Sequence, residues 1–173
     1  ASSSSTISFT SGIDSTYKEY LFIFNNIHPS ADSAEFGFQA DTGTNTNYNQ
    51  TITSTFFKAQ HRQDDVVTGL SYDTSQDLAQ STSFQRLGFN LDASQASDNF
   101  SGYLHLFNPS SSTFVKHFIS TNNYTYDGDG DEQYSFNTFV AGYFNTTTAI
   151  TRLQFKMESG NIDSGTITLY GIN

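Results

Sequence analysis

Cysteine and tryptophan are absent from this 173-residue chain, and proline occurs only twice. Without cysteine there is no disulfide, no thiolate nucleophile and no zinc–thiolate centre, while the redox compartment is left open. Basic residues are scarce too: 7 Lys and Arg stand against 17 Asp and Glu, for a net charge of −10. That balance repels a nucleic-acid duplex, so no nucleic-acid partner is expected. No apolar run approaches the roughly 20 residues that a membrane-spanning helix needs. The leading ASSSST lacks the basic and apolar regions of a signal peptide. A soluble protein without a membrane partner follows as the expectation.

Aromatic residues supply what the chain does have. Its 17 Phe and 10 Tyr are set among Ser, Thr, Asn, Asp and Gly. Aromatics favour strands, and the polar remainder disfavours helix. The length suffices for one domain whose core needs no metal or disulfide staple. We therefore expect a single domain over 1–173 with a short polar lead, 1–6.

The longest apolar stretch, Tyr17–Pro29, defines the central strand. Alternation sends Tyr20, Phe22 and Phe24 to one face and Leu21, Ile23 and Ile27 to the other. Both faces are apolar, so this strand must be covered twice, once by a second sheet and once by a loop layer or another subunit. The segment Ser101–Phe107 repeats the logic, with Tyr103, His105 and Phe107 opposite Leu104 and Leu106. Further strands are expected around Ile7–Phe9, Ala34–Ala40, Thr51–Arg62, Val66–Tyr72, Phe84–Leu91, Thr113–Ser120 and Tyr134–Phe144. Ala34–Ala40 should pair with the central strand as a hairpin, and Gly88 marks a bulge or a close backbone approach. Polar loops are expected at 41–50 and 122–132, and a helical turn within 73–82. Near the end, Leu153, Phe155 and Met157 alternate with Arg152, Gln154, Lys156 and Glu158, and Thr166–Ile172 should return as a closing hairpin. About ten short strands without a periodic helix give an all-β fold, a two-sheet antiparallel sandwich of jelly-roll type.

Few constellations carry chemistry. Asp127, Asp129 and Asp131 alternate as in a calcium loop, because a hard cation gathers several oxygen ligands from a flexible backbone. The pattern departs from an EF-hand at its sixth position, Glu132, and its twelfth, Thr138, and a solvated turn is the plainer alternative. If calcium binds there, thermal stability rises with the ion and falls with chelator. The four histidines, His28, His61, His105 and His117, form neither HxH nor HExxH spacing, which argues against a metal enzyme. His105 reads as a packed or interfacial side chain. No GxSxG motif marks a serine nucleophile, and no pair of carboxylates stands out for glycoside chemistry. Tyr48, Tyr124 and Tyr126 are candidates for stacking a sugar, an idea weakened by the absence of Trp.

Three stretches go beyond general β-character: FTSGIDSTYKEYLFIFNNIHPSAD at 9–32, YLHLFNPSSSTFVKHFIS at 103–120 and ITRLQFKMESGNIDSGTITLYGIN at 150–173. Together they resemble a family of small β-rich virion proteins encoded by marine tailed bacteriophages. The resemblance spans most of the chain, and its motifs are structural, so no catalytic residue carries over. It implies a particle component without enzymatic activity or cofactor: a decoration (cement) protein on the capsid surface, partnered by the major capsid protein, or a receptor- or carbohydrate-binding domain of a tail fibre. The excess of apolar strand faces implies a homo-oligomer. The resemblance implies that this oligomer is a trimer.

Overall fold

The computed structural model describes residues 1–127 and 133–173. Among these the fold is all-β, with strands β1 (Ile7–Phe9), β2 (Glu19–Pro29), β3 (Ala34–Thr42), β4 (Ile52–Arg62), β5 (Thr68–Tyr72), β6 (Gln85–Leu91), β7 (Phe100–Phe107), β8 (Lys116–Asp127), β9 (Gln133–Phe144), β10 (Ile150–Met157) and β11 (Ile162–Ile172). A four-stranded sheet, β1-β10-β3-β6, packs on a seven-stranded sheet, β11-β2-β7-β8-β9-β4-β5. Every pairing is antiparallel. The chain alternates between the sheets from β1 to β4, which is consistent with a jelly roll whose larger sheet is widened by the β7–β8–β9 meander and by β11.

Two expected hairpins do not exist. β3 follows β2 in sequence but pairs with β10 and β6 in the smaller sheet, and β11 likewise leaves β10 to pair with β2. The sequence pattern located every strand, although not all of their ends, yet it carries no information about which sheet a strand joins. Residues 122–127, expected as loop, extend β8, and Asn122 and Tyr124 are buried. The segment 73–82 forms no helix, but it opens with a single turn closed by the Gln76 amide donating to the Asp73 carbonyl at 3.3 Å.

The core lies between the sheets. Phe22 and Phe24 of β2 and Phe36 and Phe38 of β3 surround Phe155 of β10, with ring centroids 5.3 to 6.2 Å from it. Leu104, Leu106 and Leu153 are also enclosed, whereas Ile23 and Leu169 are half-buried. Ile23 sits on the outer face of the larger sheet, as its strand parity requires. Ile27, expected beside it, is fully buried on the inner face, because the β2–β7 register shifts between Phe24 and Ile27 and Asn26 takes a φ of 52°. A bulge of this kind inverts the facing of every later residue in the strand.

Gly88 fulfils the expectation of a close approach. A Cβ there would lie 2.8 Å from the Phe100 ring. Gly88→Ala should therefore cost about 1–3 kcal/mol through overpacking, read as a fall in melting temperature; an unchanged melt would show that the ring moves aside freely.

Candidate functional site

The outer face of the seven-stranded sheet is the most distinctive surface. One rung across it runs Thr168, Ile23, Tyr103, Thr121, Phe139, Phe57, Tyr72. The next runs Tyr170, Leu21, His105, Ile119, Ala141, Thr55. Neither contains Lys, Arg, Asp or Glu, although the chain carries a net charge of −10. Phe57 and Phe139 stack in parallel with centroids 4.9 Å apart. Phe57, Tyr103, Ile119 and Tyr170 are each 39 to 54% exposed, more than a large apolar side chain keeps on a face that another layer covers. Over the small side chain of Ala141 the face dips into a depression of about 430 Å³ walled by Thr53, Thr55, His117, Ile119 and Tyr143. His105 stacks on Phe107 at 4.2 Å and sets its Nε2 2.9 Å from a carboxylate oxygen of Glu19. It is packed on this face, as its position between two aromatics predicts. The second apolar face of the central strand is therefore real, and no part of the described chain covers it.

A second feature is a cleft of about 470 Å³ on the outer side of the smaller sheet. Gly37 forms its floor, since a Cβ there would come within 2.9 Å of the Gln85 carbonyl oxygen. Lys156 and Arg86 flank Gly37 on the neighbouring strands. The segment 73–84 makes one wall and is tied across both sheets: Gln85 Nε2 donates to the Gln76 carbonyl, Arg86 Nη1 to the Ser75 carbonyl, and the Leu78 amide to Ser54 Oγ. Arg86 forms ion pairs with Glu35 and, at 3.1 Å, with Glu158. Burial, reinforced by a hydrogen bond to the neighbouring Glu158 carboxylate, pushes the Glu35 carboxyl up to about 7. Glu158 moves down, because it accepts that bond and another from Arg86. The two acids thus share one proton below about pH 7, held on Glu35. A glycosidase needs its carboxyls about 5 Å or more apart, with a sugar or water between. Here both acids are drawn onto one guanidinium, so the cluster is a clamp joining β3 and β6 to the end of β10.

The clamp gives a signed pH dependence. The folded carboxyl of Glu35 holds its proton up to about 7 against an ordinary value of 4.5. Its contribution is fully present below about pH 4.5 and is lost as pH rises through about 7. Glu158, shifted the other way, contributes above its ordinary value and loses that contribution in acid. Glu35→Gln should remove the decline between about pH 4.5 and 7. Chemical denaturation of both proteins at pH 5 and pH 8 checks this; an equal decline in the variant would contradict it.

Other buried polar groups are structural. Asn122 Nδ2 donates to Thr138 Oγ1 and to the Leu87 carbonyl, and Thr138 Oγ1 donates to that same carbonyl at 2.6 Å, stitching the two sheets together. Lys116 is enclosed, its ammonium donating to the Phe114 and Thr146 carbonyls, and burial lowers its pKa.

Of the candidate calcium ligands, Asp127 ends β8 opposite Gln133. Asp129 and Asp131 lie outside the described residues. Among the described residues no group of three or more His, Asp and Glu is arranged to hold a metal. Tyr48 and Tyr124, candidates for stacking a sugar, are buried, and Tyr126 is half-buried beside Tyr134. Sequence reasoning missed the Glu35–Arg86–Glu158 cluster, whose members are brought together only by pairing between distant strands. No helix among the described residues is long and apolar enough to cross a membrane. No family model matches the chain, and no curated protein or solved structure matches it either.

Proposed function

We propose that this protein is a non-enzymatic structural component of a tailed-phage particle, a decoration or cement protein on the capsid surface. It acts as a homotrimer that holds neighbouring copies of the major capsid protein. The observation that supports this reading best is the uncharged aromatic outer face of the seven-stranded sheet, since a contiguous apolar patch rimmed by polar residues is what an interface core requires. A strongly acidic chain associates most readily where its charges are absent, because elsewhere copies repel one another. The phage assignment and the number three come from the resemblance of 9–32, 103–120 and 150–173 to virion proteins.

A second reading, a glycan-binding domain of a tail fibre, is favoured by the cleft beside Arg86, where Gln76, Asp77, Ser83 and Lys156 offer polar groups next to the Phe84 ring. A glycan array and reducing-sugar assays on host envelope fractions separate the two. The structural reading expects silence in both, together with a trimer in sedimentation. Binding to a glycan by a monomeric chain would replace it with the second reading.

A further inference from the structure

The seven-stranded sheet ends in two strands, β11 and β5, whose outer edges are open. Along β11 the start is protected: the Ser3 and Ser4 amides donate to the Asp163 and Ile162 carbonyls at 2.9 Å, and Ala1 N donates to the Gly165 carbonyl at 2.5 Å. That cover stops at Gly165. Among the described residues, Thr166–Ile172 has backbone partners only on β2, and Thr68–Tyr72 only on β4. Neither edge carries the usual protection of charge or proline, reading TITLYGI and TGLSY. The smaller sheet treats its edges differently. β1 has three residues, and β6 is bonded by side chains to the segment 73–84.

We propose that β11 of one copy pairs with β5 of a second copy, joining seven-stranded sheets head to tail into a closed ring. The inference rests on the self-associating reading above and names the joint. Pairing each edge with its own counterpart would need two different two-fold joints at opposite ends of one sheet, and these would propagate an endless ribbon. A single head-to-tail joint uses both open edges and can close. Closure removes every exposed edge of the larger sheet. Because seven strands alternate in direction, β11 and β5 run the same way, and a rotation axis along the strands makes the joint parallel. The register then follows from the rungs. Thr168 and Tyr72 end one unbroken rung, through Ile23, Tyr103, Thr121, Phe139 and Phe57, and Thr166 and Leu70 stand two residues earlier on the same two edge strands, on a line that crosses the β2 bulge between Phe24 and Ile27. Thr166 therefore lies beside Leu70 of the second copy, and Thr168 beside its Tyr72. The uncharged outer faces turn toward the axis of the ring, where the three copies meet.

Charge placed on the two edges tests this. Thr166→Glu/Thr168→Glu puts acid on β11, and Leu70→Lys/Tyr72→Lys puts base on β5. All four positions are on the outer face and at least partly exposed, so each variant is expected to keep its near-ultraviolet dichroism. Each pair alone should weaken the trimer roughly tenfold or more in sedimentation equilibrium, since edge charges block pairing. Combining all four substitutions in one chain should restore the trimer, now sensitive to salt, because every joint then carries Glu against Lys. Two-fold pairing predicts the reverse, as Glu would meet Glu and Lys would meet Lys, and a combined variant that stays dissociated overturns the proposal. If the wild-type trimer persists in both separate variants, the edge joint is wrong while the particle reading stands. A wild-type chain that is monomeric removes both.

Discussion

Phe155→Ala is expected to lose about 3–5 kcal/mol of stability, a large share of the 5–15 kcal/mol typical of a domain. The ring is fully enclosed at the centre of the sandwich. It meets Phe9 of β1 and Phe22 and Phe24 of β2 at tilted or edge-on angles, and Phe36 of β3 nearly stacked. Removing it opens a cavity bordered by rigid rings on strands held by ladder bonds, so neighbours cannot collapse inward and the cavity cost adds to the lost burial. Chemical denaturation gives the loss directly. A folded variant that denatures like the parent would mean that the sheets are not packed as described.

Asp41→Ala is the second large effect, at about 2–4 kcal/mol. Asp41 lies at the end of β3, 1% exposed, where its carboxylate accepts from the Thr42 amide at 2.8 Å, the Tyr48 amide at 2.9 Å and Gln50 Nε2 at 3.2 Å. It folds residues 43–50 back so that Tyr48 is buried at a φ of 47°. Deletion leaves inward-pointing donors without an acceptor, which costs more than the bonds themselves contribute. Asp41→Asn keeps one acceptor oxygen and should lose less. Equal losses from Ala and Asn would show that shape, not acceptance, fixes the loop.

These two positions also mark what the sequence discloses. Phe155 was legible because Leu153, Phe155 and Met157 alternate with charged residues, and period-two alternation has one structural meaning. On β2 the alternation separated two faces without showing which is inner, because both are apolar, and the bulge at Asn26 moved Ile27 to the face opposite the expected one. Asp41 was not, since DTGTNTNYNQ has the composition of an exposed loop and nothing local reveals a buried acceptor. The β10–β11 hairpin failed because turn residues at Ser159–Gly160 serve equally well for a step between sheets. Glu35, Arg86 and Glu158 are 51 and 72 residues apart in succession, and only the β10-β3-β6 order assembles them. Local chemistry predicts strands and their faces; partners of strands are decided by packing across the whole sandwich.

The central claim is that the uncharged outer face is an interface between copies of this chain. Sedimentation equilibrium of the purified protein at micromolar concentration tests it most directly. The account predicts a trimer, about 58 kDa from three chains of 19.2 kDa, that dissociates when Phe139→Asp and Ile119→Asp place charge at the centre of that face. A single species of 19.2 kDa across the concentration range would contradict it.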